Sequence, residues 1–139
     1  MNTTTNQSAV PAIGRLLLAA IFILSGVGKA LAPAGTIGYI ESAGLPFATV
    51  GLIVAIAVEL GGGVMLALGI KTRIVALGLA IFSVVTALVF HHALGDQNQL
   101  IHFMKNIAMA GGLLQVVAFG AGAYSVDAAS SRKRVTQVA

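Results

Sequence analysis

Four long apolar runs, each closed by a short polar or glycine- and proline-bearing break, set the pattern of this chain. They cover about residues 12–32, 47–69, 74–92 and 100–122. Each is long enough to cross a bilayer as a helix, since about 20 apolar residues span the roughly 30 Å hydrocarbon core. The breaks carry turn chemistry or charge: Pro33-Ala-Gly35, Gly44-Leu-Pro46, Gly69-Ile-Lys71-Thr-Arg73 and Gly95-Asp-Gln-Asn98. Strands of a membrane barrel would alternate polar and apolar positions with period two, and these runs do not. The pattern predicts an all-α, integral membrane four-helix bundle of one domain. A polar, flexible lead (residues 1–11) precedes it and a polar, basic tail (124–139) follows.

Composition agrees. Only 9% of the 139 residues are charged and the mean hydropathy is +0.97, against about a quarter charged in soluble domains. The net charge of +4 does not point to nucleic acid, because the basic residues are scattered between apolar runs. Their distribution sets topology instead. With the N-terminus inside, Arg15, Lys71, Arg73, Arg132, Lys133 and Arg134 are cytoplasmic, and only Lys29 and Lys105 lie opposite. Both termini are therefore expected in the cytoplasm, leaving that side only snorkelling Arg and Lys. Ala30-Leu31-Ala32 imitates a signal cleavage site, but Pro33 would follow the cut, so the first span is expected to be retained. The absence of cysteine excludes disulfides, thiolate-held clusters and dithiol redox chemistry within this chain.

The strongest departure from the apolar pattern is Glu59, inside the run from Phe47 to Leu68. A charged group at that depth typically costs about 2.5–3.5 kcal/mol on insertion scales, so it marks function or a specific partner. Counted at 1.5 Å per residue, Glu59 lies about 18 Å and Gln115 about 21 Å from the outer ends of their spans. Ser25 and Ser83 lie at roughly 12 Å by the same count. These residues form a candidate polar layer at mid-membrane. Nearer the outer surface come Lys29, Lys105 and Asn106, with His91 and His92 closing the third span and His102 opening the fourth. On this count Lys29 and Lys105 are too shallow to reach Glu59 unless the helices tilt.

The candidate catalytic group is Glu59, for proton handling. The candidate ligand contacts are Lys29, His91, His92, Lys105, Asn106 and Gln115, in a polar cavity opening outward. The alternative for Glu59 is an ion pair or hydrogen bond that fixes helix packing. Imidazole and carboxylate suit zinc, copper or iron, but adjacent histidines on a helix point about 100° apart. His91 and His92 therefore cannot easily share an ion, and neither a metal nor a haem is expected. The glycine clusters Gly26-Val-Gly28, Gly61-Gly62-Gly63 and Gly111-Gly112 fit close helix packing.

Several ordered segments resemble the DoxX family of small bacterial membrane proteins. They are Arg15 with Gly26-Val-Gly28-Lys29, Glu59-Leu-Gly-Gly, Gly69-Ile-Lys-Thr-Arg73 and Phe90-His91-His92. The run His102-Phe-Met-Lys105-Asn106-Ile-Ala-Met-Ala-Gly-Gly-Leu-Leu114 and the ending Gly120-Ala-Gly-Ala-Tyr-Ser-Val-Asp127 complete the set. The resemblance covers about residues 12–128 and implies a four-helix protein of the bacterial inner membrane. It also implies a link to redox physiology, because the family's name is shared with the membrane subunit of a thiosulfate:quinone oxidoreductase. The expected function is a quinone- or small-molecule-linked redox membrane subunit working with a redox partner protein. The alternative is a non-enzymatic adaptor or scaffold, or a homo-oligomer, embedded in membrane lipid.

Overall fold

In the computed structural model, which describes residues 9–138, six helices follow one another without an intervening strand. Four meet the length and hydropathy of a membrane span: α1 (Val10–Leu31), α3 (Ala48–Leu68), α4 (Thr72–Phe90) and α5 (Gln97–Phe119). Two further helices flank them, α2 (Pro33–Ser42) after α1 and α6 (Val126–Val138) after α5. The sequence pattern located the four spans but placed no helix in the break after Ala32 or in the polar, basic tail (124–139). Pro33 at the first position of α2 supplies the fixed φ that suits a helix start. The expected polar lead falls mostly on residues outside the described part.

The surface is that of a protein solvated by lipid. Leu17, Leu24, Ile74 and Phe119 are each at least 70% exposed, while the centre holds small and branched residues around one aromatic ring: Ala19, Phe22, Leu66, Ala76, Leu79, Ala110 and Leu113. Apolar burial against other helices gains little in a membrane, so close packing and polar contacts must hold the spans together. Small residues permit it where α1 crosses α3. A methyl group added to Gly26 would lie 2.7 Å from Leu60 Cγ, and one on Gly63 would lie 2.8 Å from Ile23 Cγ1.

That crossing also shows that the helix ends are not level. Gly26 faces Leu60, five residues before α1 ends and twelve after α3 begins. The first part of α3 therefore runs about 10 Å past the end of α1 at 1.5 Å per residue. Helix α2 packs against that extension through a second cluster, Ile40 with Ala48 and Leu52, flanked by Ile37, Ile56 and Phe90.

The end of the bundle where α1 begins and α5 ends is closed by buried polar contacts. Arg15 is only 3% exposed. Its guanidinium donates to the backbone oxygens of Ala121, of Ala67 at 3.3 Å and of Tyr124 at 2.7 Å. Arg15 was expected to snorkel. It is buried instead, because the segment after α5 folds back over it and offers carbonyls that no helix uses. Asp127 completes the closure by capping α4 from a distant segment. It accepts from Lys71 N, Thr72 N and Thr72 Oγ1 at 2.9, 2.9 and 2.7 Å. Gly69 ends α3 with φ +72°, a conformation that favours glycine, and its carbonyl accepts from Asp127 N at 3.0 Å.

Candidate functional site

Glu59 stands on a turn of π-helix, Ala57–Gly62, in the middle of α3. One extra residue in a helical turn breaks the regular 3.6-residue spacing and re-aims the side chains on it, and such turns recur at functional sites. The result here is a carboxylate on a buried residue, 5% exposed, facing α1.

Two side chains of α1, one turn apart, meet it. Lys29 Nζ donates to Glu59 Oε1 at 2.9 Å and to Ser25 Oγ at 2.7 Å, and Ser25 Oγ donates to Glu59 Oε1 at 3.2 Å. The ammonium also lies 2.9 Å from Oε2. That second approach is off the direction of a hydrogen bond, so Oε2 keeps an electrostatic contact but no hydrogen-bond partner. The expectation that Lys29 is too shallow for Glu59 is corrected by the offset of the helix ends. Lys29 is two residues from the end of α1, but that end stops well inside the length of α3. The lysine side chain, 26% exposed, then lies across a carboxylate that is 7% exposed.

A cavity of about 750 Å³ opens beside this pair. Its walls are mostly apolar and aromatic, from α1 (Phe22), α2 (Tyr39), α3 (Val54) and α4 (Phe82 and Phe90). Helix α2 therefore forms part of the site. Tyr39 stacks on Phe90 with ring centres 5.4 Å apart and donates its hydroxyl to Phe90 O at 3.3 Å.

Of the residues singled out in the sequence, the cavity is lined by Glu59, Lys29, His91, Lys105 and Asn106, together with Ser25 and Ser83. His92 and Gln115 do not line it. His92 is exposed, with Nδ1 donating to Val89 O at 3.1 Å. Gln115 sits at the expected depth but on the exposed face of α5, so depth alone does not bring it to Glu59. His91 and His102 stack with ring centres 5.1 Å apart, joining the end of α4 to the start of α5. His91 Nδ1 donates to Gln99 Oε1 at 3.0 Å, and Lys105 Nζ donates to His102 Nδ1 at 3.2 Å. Asn106 is buried and donates Nδ2 to His102 O at 3.1 Å. Asp96 caps α5 by accepting from Gln99 N at 2.9 Å. Among the described residues no three of the His, Asp and Glu side chains converge as metal ligands.

The sequence named the polar members of the cavity and missed its aromatic walls, α2 and the π turn. The turn had one visible correlate, the Glu59-Leu-Gly-Gly-Gly63 run, where glycine relaxes the backbone at the crossing.

Comparison with known proteins places this arrangement. The family model for DoxX matches residues 10–92, which take in α1 to α4 and both members of the ion pair. The chain belongs to the DoxX family. Two Escherichia coli (strain K12) proteins are similar to this DoxX-family chain along most of their lengths. Inner membrane protein YqjF is 36% identical over 121 residues, covering 87% of this chain and 92% of YqjF. Inner membrane protein YphA is 32% identical over 120 residues, covering 83% of this chain and 86% of YphA. Alignments of that length reach beyond residue 92 and into α5. No solved structure matches the chain. The four spans and these relatives identify a multi-pass inner-membrane protein in contact with membrane lipid.

Proposed function

We propose that this DoxX-family protein is a membrane subunit of a redox system that holds a small, largely apolar molecule of the quinone class between its helices. The observation that carries the proposal is the Lys29–Glu59 pair set in the wall of an otherwise apolar cavity of about 750 Å³. Ligand sites of about 300–1,000 Å³ with apolar walls and a few placed polar groups hold molecules of this kind. The rings of Phe22, Tyr39, Phe82 and Phe90 offer flat contact to a planar head group. The chain has no cysteine and so no dithiol couple of its own, and the electrons are assigned to a redox partner protein. Quinone reduction takes up two electrons and two protons, and quinol oxidation returns them. The role of Glu59 is to hold or release a proton beside the bound head group, with Lys29 and Ser25 fixing the carboxylate. The Lys and Arg bias orients the cavity outward, with the termini in the cytoplasm.

The test is extraction of the purified protein followed by mass spectrometry, for the wild type and for Glu59→Gln. A quinone that co-purifies with the wild type and is depleted in Glu59→Gln supports the proposal. A stoichiometric protein partner with no small molecule, and a Glu59→Gln variant altered only in assembly, would favour the adaptor instead.

A further inference from the structure

Four hydroxyl groups around the cavity have already placed their hydrogens. Ser25 donates to Glu59 Oε1, Tyr39 to Phe90 O, Ser83 to Leu79 O at 2.9 Å and Thr86 to Phe82 O at 2.8 Å. Lys29 donates two of its three protons, to Ser25 Oγ at 2.7 Å and to Glu59 Oε1 at 2.9 Å, and its nitrogen lies 2.9 Å from Glu59 Oε2 without a hydrogen bond to it. What these groups still offer is lone pairs. A hydroxyl that donates back to its own helix keeps acceptor capacity on its outer side. Glu59 Oε2 is a buried carboxylate oxygen with no hydrogen bond among the described residues, and an unsatisfied buried acceptor calls for an explanation. Asn106 donates one N–H to His102 O, which leaves Oδ1 and one N–H. The remaining donors are the third N–H of Lys29, Lys105, which is exposed, and Thr36 on α2. The inner part of the cavity therefore offers more acceptors than free donors.

We infer that the cavity favours an occupant whose inner end donates a hydrogen bond, a phenol or quinol hydroxyl, over the corresponding carbonyl form. The inference rests on the quinone-class reading above and adds which redox form is held. A carbonyl oxygen placed among Glu59, Ser83 and Thr86 would face lone pairs. A hydroxyl there donates to one of them and can accept from the second N–H of Asn106. Desolvation amplifies the difference, because a polar group buried against like polarity loses its water without replacement.

The experiment is equilibrium binding to the full chain in detergent, under anaerobic conditions, with two matched pairs of probes. One pair is a decyl-substituted benzoquinol and its benzoquinone. The other, which cannot exchange electrons, is 4-decylphenol and its methyl ether. A hydrogen bond to a charged group changes affinity by about tenfold or more, and the hydroxyl member of each pair is expected to bind tighter by that factor. In Glu59→Gln the amide brings donors to the same place, and the preference should shrink to within about threefold or reverse. Ser83→Ala, which leaves the ion pair intact, should weaken the hydroxyl probes several-fold and the carbonyl and ether probes little. Equal or tighter binding of the benzoquinone and the ether overturns the inference while leaving the quinone-class reading standing. Failure of all four probes to bind overturns both.

Discussion

Each end of this bundle holds a cation from α1, one buried and one half-buried, and the two are held in opposite ways. Arg15 is held by backbone oxygens of three residues, Ala67, Ala121 and Tyr124, and the capping carboxylate of Asp127 stands nearby. Lys29 is held by side chains, Ser25 and Glu59, beside an open cavity. Backbone carbonyls have fixed charge and fixed position, so the Arg15 contacts can only hold the chain together. A carboxylate can change its protonation, rotate and meet a ligand. Burial of a charge within a membrane is therefore not in itself a sign of function. The nature of the partner, and whether space adjoins it, separates a clasp from a site.

The largest effect that would break this contrast belongs to Arg15. Arg15→Met removes a buried donor set and leaves three carbonyls without it, and should destabilise the fold by on the order of 3 kcal/mol, read as a lowered thermal midpoint in detergent. If Arg15→Met melts like the wild type, the clasp is not structural. Next comes the α1–α3 crossing, where Gly26→Ala places a methyl 2.7 Å from Leu60 Cγ. Overpacking of this kind costs about 1–3 kcal/mol, and the same melt should show it, with loss of ligand binding because Lys29 and Glu59 are displaced together.

Asp127 gives a smaller effect with a sign. Partial burial pushes its carboxyl upward, but hydrogen bonds from Thr72 N, Thr72 Oγ1 and Lys71 N outweigh it. With the charge of Arg15 they hold the group below its ordinary value of 3.8. A group depressed in the folded state stabilises above its unfolded value and loses that contribution as pH falls through the folded one. Wild-type protein should therefore lose stability as pH drops below about 3.8, and Asp127→Asn should remove most of that slope. An unchanged slope in the variant would assign the acid sensitivity elsewhere. The smallest stability effect is expected for Glu59→Gln, whose amide can still bond Ser25 and Lys29. A change of within about 1 kcal/mol is expected, against a large loss of ligand binding.

The spans were legible in the sequence because a lipid-facing helix must be apolar all along its length, and Lys71, Asp96 and the glycines mark where that requirement lifts. The polar residues of the site were legible for the converse reason, since Glu59, Lys29 and Asn106 are costly in an apolar setting. Their pairing was not. Depth counted from each span's own end assumes that the ends are level, whereas the first part of α3 runs past α1 and is met by α2. That mismatch hid the Lys29–Glu59 contact, and depth says nothing of helix face, so Gln115 lies at the right depth on the exposed face of α5. The burial of Arg15 was equally hidden, because its partners Ala121 and Tyr124 lie more than a hundred residues away in the chain. The family relationship agrees with the bundle, while the chemistry rests on the cavity.

The central claim is that the Glu59 end is a site and the Arg15 end a clasp. The most direct measurement is the shift in thermal midpoint that the decyl benzoquinol produces in wild-type and Glu59→Gln protein. A ligand present at a hundred times its dissociation constant stabilises the folded state by about 2.7 kcal/mol. The account predicts a clear upward shift for the wild type and about half of it or less for a Glu59→Gln protein that otherwise melts normally. An equal shift in both proteins, or a Glu59→Gln variant as unstable as Arg15→Met, would contradict it.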